Sequence, residues 1–369
     1  MRVLVVNAGS SSLKLALVGP DGSVDVATEI ETGEGFFGAA ELRDFVAGLD
    51  GIDAVGHRVV HGGERFGGPV MVDDGVLASI EALAPLAPLH QARALAGLRA
   101  VAELLPGVPS VACFDTAFHA TLPPAAATYA VPRAWRERWG LRRFGFHGLS
   151  HAWASARAAE RVGRTGDAGV RVVTCHLGAG SSLCATVGGR SVDTTMGFTP
   201  TEGLVMATRS GSVDPGMLAW LVGVAGLDPA ELARGLDRDS GLAGLAGGGG
   251  DMREVLAAAA AGDPSAGLAR DVWLHRLCRE VAAMAAAARG LDALVFTGGI
   301  GQHQAGLREM AADGLAFLGV AVDPAVNAEA PADGDTDVSA RGADVRTLVV
   351  AAHEELQIAA EVRTAVAGA

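Results

Sequence analysis

Apolar residues run unbroken from Val3 to Val6, give way to the small polar turn Asn7-Ala8-Gly9-Ser10-Ser11-Ser12, and resume at Leu13. That pattern predicts a buried strand, a tight turn and a second strand. Short apolar runs over 54–60, 108–114, 172–175, 294–296 and 345–350 predict further strands. Helical spacing predicts helices over 40–49, 76–83, 90–105, 216–224, 229–236, 256–261, 268–289 and 305–314, with others opening at Ala152 and after His353. Asp214-Pro215 and Asp228-Pro229 are helix-start signals. Residues 120–145 read as a loop anchored by Tyr129, Trp135 and Trp139, with RERWGLRR as a solvated face. Residues 191–215 read as a long irregular loop, of the kind that carries function. GLAGLAGGGGD reads as a mobile or ligand-approaching loop ending at Asp251, and the long 268–289 helix as an interdomain or dimer helix. Strands alternating with helices define an α/β class.

An internal repeat refines this picture. GSSLCATVGG (180–189) aligns with SSSLKLALVG (10–19) at an offset of 170, each copy after an apolar strand and a glycine-bearing turn. Two such halves predict duplicated domains facing one nucleotide, and 369 residues suit about two domains. Half the residues are apolar, enough for large cores. A net charge of −13 argues against nucleic acid or an anionic membrane as the main partner. The four cysteines show no CxxC spacing and read as buried, reduced thiols. No apolar run reaches the roughly 18 residues of a spanning helix, and the chain starts directly on a strand. A soluble, cytoplasmic protein is expected.

Any positive charge that binds phosphate must then be local. Lys14 is the only lysine; every other one of the 29 basic residues is arginine. It is either a phosphate-facing ammonium beside a small-residue turn or a solvated lysine on a hairpin. In GHRVVHGGERFGG, His57, Arg58 and His61 form either a dense cationic site on flexible backbone or a solvated loop. Asp115 falls at a strand's carboxyl end, where α/β sheets gather ligands, although a turn aspartate fits equally. His147 lies between Phe146 and Gly148 as a pocket donor or a core histidine. Arg209 is isolated in the 191–215 loop, and Thr297-Gly298-Gly299-Ile300-Gly301 suits adenosine or phosphate. Glu354 and Glu355 either complement a helix dipole or include a magnesium-linked carboxylate.

Taken together, VNAGSSSLKLAL, GHRVVHGGERF, LAPLH, FDTAFH, FGFHGLSH, HLGAGSS, DTTMGFTPTEGLVMATRSGSVDP, SGLAGLAGGGGDMREV, FTGGIG and HEEL, in that order along nearly the whole chain, resemble the acetate kinase family. The resemblance implies two duplicated RNase H-like domains of the actin-like, sugar-kinase-like ATPase fold. These would comprise residues 1–117 with 355–369, and residues 118–354, with the active site in the interdomain cleft. It implies acetate + ATP ⇌ acetyl phosphate + ADP with Mg²⁺ (or Mn²⁺ in its place), in a homodimer. By resemblance, Asn7 lies near the metal and Glu354 is its carboxylate. Arg58 and Arg209 flank the transferred phosphoryl group, His147 hydrogen-bonds its oxygens, and Asp115 is the essential aspartate at the substrate end. Val60, Leu89, Phe146 and Pro200 match the methyl pocket, with Arg58 also contacting substrate. Lys14, His176, Leu177, Gly178, Ala179 and Gly180 match the phosphate side, and Asp251, Met252, Arg253, Gly299, Ile300 and Gly301 the adenosine side.

The chain departs from the family pattern at Ala179 for asparagine, Leu149 for threonine, Gln302 and His303 for Glu-Asn, His353 for asparagine and Gln91 for asparagine. None removes a proposed catalytic group. Rival readings are a kinase of propionate or another short carboxylate, a pyrophosphate-dependent variant, and a non-catalytic actin-like nucleotide-binding regulator.

Overall fold

The chain opens on a hairpin of β1 (Val3–Ala8) and β2 (Ser12–Val18), followed by the exposed strand β3 (Val24–Glu31). In the computed structural model residues 1–9, 12–31 and 38–368 are described, the side chains of 88 and 89 excepted. Ser10 and Ser11 of the first turn, the glycine-rich stretch 32–37 and the Leu89 side chain thus lie outside the described residues. Next come α1 (Ala39–Ala47), β4 (Ala54–Val59), β5 (Val70–Met71), α2 (Asp74–Ala82), α3 (Pro88–Leu104) and β6 (Ser110–Phe114). The expected loop over 120–145 instead holds two short helices, α4 (Pro124–Ala127) and α5 (Arg133–Trp139), the latter stopped by left-handed Gly140. Helix α6 (Gly148–Arg161) starts four residues before the expected position. Then follow β7 (Arg171–Leu177), β8 (Ser181–Val187) and β9 (Arg190–Thr194).

Four later helices share one start. In α7 (Pro215–Gly223), α8 (Pro229–Arg238), α11 (Pro264–Ala287) and α14 (Pro324–Glu329), proline opens the first turn and the preceding aspartate accepts backbone N–H groups. Proline's missing donor costs nothing there, and the carboxylate satisfies the orphan amides. Among them lie α9 (Gly241–Ala246) and α10 (Met252–Ala260), so part of the expected glycine loop is helical. After β10 (Ala293–Thr297), the expected glycine turn is itself a helix, α12 (Gly298–His303), ahead of α13 (Ala305–Gly314). Strands β11 (Thr336–Asp337) and β12 (Arg346–Val349) and helix α15 (Glu354–Ala367) complete the chain.

The duplication is visible in the sheets. One has the order β3-β2-β1-β4-β6-β5, and the other, read from its far edge, β9-β8-β7-β10-β12-β11. Every strand thus maps onto the one six places later. The senses agree as well: β1·β4 and β4·β6 are parallel like β7·β10 and β10·β12, and the outer pairings are antiparallel in both. Pairing corrects the sequence register of the repeat. Val3 lies beside Ala54 as Val172 lies beside Ala293, and Val6 opposes Leu15 as Cys175 opposes Leu183. Leu183 therefore corresponds to Leu15 rather than Leu13. The shift of two keeps each side chain on the same face.

The chain divides into two compact units, Met1–Ala120 with Phe146–Trp153 and His353–Ala369, and Thr121–Gly145 with Ala154–Ala352. In the first, Val3, Val5, Val111 and Cys113 pack with Ile358 and Val362 of α15, while Leu4, Leu17 and Val55 pack with Leu42 and Val101 on the opposite face. In the second, α11 buries Ala269, Trp273, Leu277 and Val281 against β7, β8 and β10. Its apolar side is thus packed on its own core. No helix among the described residues is long and apolar enough to cross a membrane.

Candidate functional site

In the first unit, three neighbouring parallel strands end in polar side chains. Alternation along β4 puts Val55, His57 and Val59 on the α3 face and Gly56 and Arg58 on the α15 face. Arg58 Nε donates to both oxygens of Asp115 at 3.1 and 3.2 Å, and its Nη2 donates to Asp115 Oδ2 at 2.6 Å. Its Nη1 donates to Asn7 Oδ1 at 3.2 Å, and Asn7 Nδ2 donates to Glu354 Oε2 at 2.9 Å. Asp115, Arg58, Asn7 and Glu354 thus form one bonded chain across the carboxyl ends of β6, β4 and β1 and the start of α15. Asp115 is 1% exposed in its side chain and Arg58 13%. Burial pushes the Asp115 carboxyl up, and Arg58 opposes that rise. Burial also works against the Arg58 charge, but Asp115 and Glu354 outweigh it and raise Arg58 above its ordinary range. A forked guanidinium on a carboxylate is the geometry that holds such a pair ionised.

His147 follows on the same unit in a left-handed conformation, φ 56°. Its neighbours hold that strained backbone. Gly148 N donates to Asp115 O at 2.9 Å, His151 N to His147 O at 2.9 Å, and Phe146 O accepts from His119 Nε2 at 3.0 Å. A Cβ at 148 would overlap the Asp115 carbonyl, so glycine is required beside the histidine. Val60 and Phe146 are buried, and the Phe146 ring meets His61 edge-on at 5.5 Å.

The expected cationic cluster shrinks to one charge. His57 and His61 are buried, and desolvation lowers them to about 3 and about 4. Both are neutral near pH 7, and His57 and Arg58 lie in a strand rather than on flexible backbone. His57 Nε2 finds no hydrogen-bond partner among the described residues. A base whose folded-state value lies below its unfolded value of about 6.5 stabilises the fold above that value and is lost as pH falls. Stability should therefore drop between pH 6.5 and 5 by up to about 1.4 kcal/mol per pH unit for each such histidine. Urea midpoints across that window measure it; His57→Leu should flatten the slope, and an unchanged slope would remove His57 as a source.

Lys14 opposes Asn7 in the hairpin, is exposed, and stands 3.6 Å from Glu29. With Asn7, Glu29 and Glu355 it lines a cavity of about 300 Å³. Among the described residues, no group of three or more His, Cys, Asp or Glu could hold a metal ion. Asn7 and Glu354 offer a few hard oxygens, which suits Mg²⁺, an ion that keeps several waters and binds through one or two carboxylates and substrate phosphates.

The second unit contains a cavity of about 600 Å³, within the range of small-ligand pockets. Of the residues expected to bind nucleotide, Gly178, Ala179, Asp251, Met252, Arg253, Gly299 and Ile300 line it. His176, Leu177, Gly180 and Gly301 are not among its lining residues; Leu177 and Gly301 are buried. Asp251 caps α10 through Arg253 N at 2.8 Å. Sequence reading missed Trp273, Leu242, Ala207 and Gln304 in the wall; only the glycines before Asp251 signalled close approach. Arg209 Nε donates to Asp237 at 3.1 Å and its Nη1 to the Pro200 carbonyl at 3.4 Å.

The departures from the family pattern have places too. Gln91 brackets His61, accepting from its N–H at 3.3 Å and donating to its carbonyl at 3.0 Å. Leu149 lies in the core with Val111 and Ile358. Gln302 links the Ala332 carbonyl to Ala352 N, His303 lines the larger cavity, and His353 Nδ1 meets Glu355 at 2.7 Å.

The model of the Acetokinase family matches residues 36–360. An acetate kinase of Leifsonia xyli subsp. xyli is 47% identical, with 99% of each chain covered. A solved acetate kinase of Porphyromonas gingivalis superposes with TM-score 0.89 at 36% identity, covering 99% of each chain. A propionate kinase of Francisella tularensis superposes with TM-score 0.88 at 36% identity, over 98% of this chain and 99% of its own.

Proposed function

The chain belongs to the acetokinase family, and we propose that it catalyses reversible, Mg²⁺-dependent phosphoryl transfer from ATP to acetate by direct in-line displacement. The observation that carries this reading is the bonded chain Asp115–Arg58–Asn7–Glu354 at the strand ends. A carboxylate nucleophile is already ionised at neutral pH, so no general base is needed. The work is orientation and neutralisation of charge on a metaphosphate-like transition state. Arg58 and Arg209 supply fixed cations, His147 a donor, and Asp115 aims the Arg58 fork. Asn7 and Glu354 would hold Mg²⁺, which supplies charge neutralisation on the phosphates when bound. The second unit's cavity would take the nucleotide, and buried Val60 and Phe146 a small alkyl group.

Acyl-hydroxamate formation with Mg-ATP tests the reading, with acetate expected ahead of propionate and butyrate in kcat/KM. Product with none of the acids, from folded protein that still binds ATP, overturns it. Propionate preferred over acetate would favour the second reading, which the equally similar propionate kinase supports. Transfer with retained configuration at a chiral phosphorus would exclude the in-line step.

The protein is further proposed to be a cytoplasmic homodimer joined through α7. All nine residues of that helix escape burial, and Met217, Trp220, Val222 and the following Val224 are exposed. An apolar patch of this kind marks an interaction surface. Trp220→Glu is expected to convert a dimer to a monomer in light scattering; a persisting dimer would move the interface elsewhere.

A further inference from the structure

We propose that Arg308, locked to Asn327, is a positioning residue that holds α12 as a preformed wall of the second unit's cavity and so sets the affinity for nucleotide; this rests on the nucleotide reading of that cavity. Every group involved belongs to the second unit. Helix α12 supplies Gly299, Ile300 and His303 to the cavity, and Gln304 follows directly. As a helix it is intrinsically weak. Three of its six residues are glycine, which disfavours a helix relative to alanine. Close approach to the sheet seats its underside. A Cβ at 298 would stand 2.8 Å from the Leu177 carbonyl oxygen of β7, and one at 301 would stand 3.3 Å from the Phe296 carbonyl carbon of β10.

The far end of α12 is held by Arg308, on α13. Its Nη1 donates to the carbonyls of Gly301 and Gln302 at 2.9 and 2.8 Å. These belong to the last turn of α12, where carbonyls lack partners within the helix and a cation is favoured. Arg308 Nε donates to Asn327 Oδ1 at 2.7 Å and its Nη2 to the Asn327 carbonyl at 2.8 Å. Asn327 Nδ2 then donates to the Ala305 carbonyl at 2.9 Å, which pins the link between α12 and α13. Asn327 is buried on α14, whose first turn Asp323 caps. Among the described residues of the second unit, Arg308 is the only buried Arg, Lys, Asp or Glu, at 2% exposure. All four of its hydrogen bonds go to uncharged oxygens. Burial lowers it to about 10, so it keeps its charge near pH 7. A buried charge satisfied by fixed dipoles alone is held to the one arrangement that supplies them. Helix α13 itself is seated by Leu307, Ala311 and Ala312 in the core. Removing the guanidinium should therefore free α12 and leave α13 in place. A site formed only part of the time loses apparent affinity in proportion, so a wall formed about one-tenth of the time weakens binding about tenfold.

The test combines calorimetric Kd for Mg-ATP without carboxylate, steady-state kinetics and amide hydrogen exchange, in wild type, Arg308→Met, Arg308→Lys and Asn327→Ala. Arg308→Met keeps the stem and removes every donor. It should raise Kd and KM for Mg-ATP about tenfold or more. KM for acetate, and kcat at saturating Mg-ATP, should stay within about threefold of wild type. Amides of 300–304 should exchange faster in the unliganded variant, while those of β10 keep their protection. Arg308→Lys caps the helix but cannot fork to Asn327, and it should restore part of the affinity. If Arg308→Met does not fold, Asn327→Ala leaves both bonds to α12 and gives the same readouts in smaller measure. A folded Arg308→Met with unchanged Kd for Mg-ATP, or with exchange rising equally in β10 and α12, overturns the inference and leaves the nucleotide reading intact. Wild type that binds no Mg-ATP overturns that reading, and the inference with it.

Discussion

Arg209→Ala is expected to lower kcat by about 10²-fold or more, the usual loss when one preorganised transition-state donor is removed. The fold should barely register the change. Arg209 is 21% exposed in its side chain and its partner Asp237 46%, so the abandoned carboxylate is solvated and the ion pair is worth less than about 1 kcal/mol. The hydroxamate assay and a urea titration together separate the two effects. A folded variant within about threefold of wild type would remove Arg209 from the transition state, because a lost donor costs far more than that.

Arg58→Ala should cost both activity and stability. Its partner Asp115 is 1% exposed, and removing the guanidinium leaves a buried carboxylate without its counter-charge. Breaking a buried pair in this way costs about 3–5 kcal/mol, on top of a fall in kcat of about 10²-fold or more. Arg58→Lys should rescue little, since a point ammonium cannot span Asp115 and Asn7 as the planar fork does. The double variant Arg58→Ala/Asp115→Ala is the decisive companion. It should regain part of the lost stability and none of the activity. A double variant no more stable than Arg58→Ala would show that the abandoned charge is not the source of the loss.

Much of the scaffold was legible along the chain because its signals are local. Asp214-Pro215 and Asp228-Pro229 mark helix starts through chemistry confined to three residues, and α13 ends where its periodicity ends. The glycine-rich openings of α9 and α12 were misread for the converse reason. Glycine's poor helix propensity argues against a helix, and packing overrode it. Long-range features were illegible. Glu202 lies 73 residues from Tyr129 and 59 from Arg143, so RERWGLRR looked like a solvated run until its last arginine was seen bonded to Glu202. The charge of His57 and His61 depends on burial, which residue type alone does not reveal. The bonded chain joining Asn7 to Glu354 spans 347 residues, and the family resemblance rather than spacing brought its members together.

The doubled sheet makes the protein its own control. Strand pairing carries Asn7 onto His176, Arg58 onto Thr297 and Asp115 onto Ala352. One copy of the scaffold thus keeps an acid and a base at adjacent strand ends. The other holds a threonine, whose buried hydroxyl has no partner among the described residues, beside an alanine. The two sheets share one strand pattern, while the Arg58–Asp115 pair occurs in the first. Introducing Arg at 297 and Asp at 352 would ask whether the second sheet can carry the same ion pair at its strand ends.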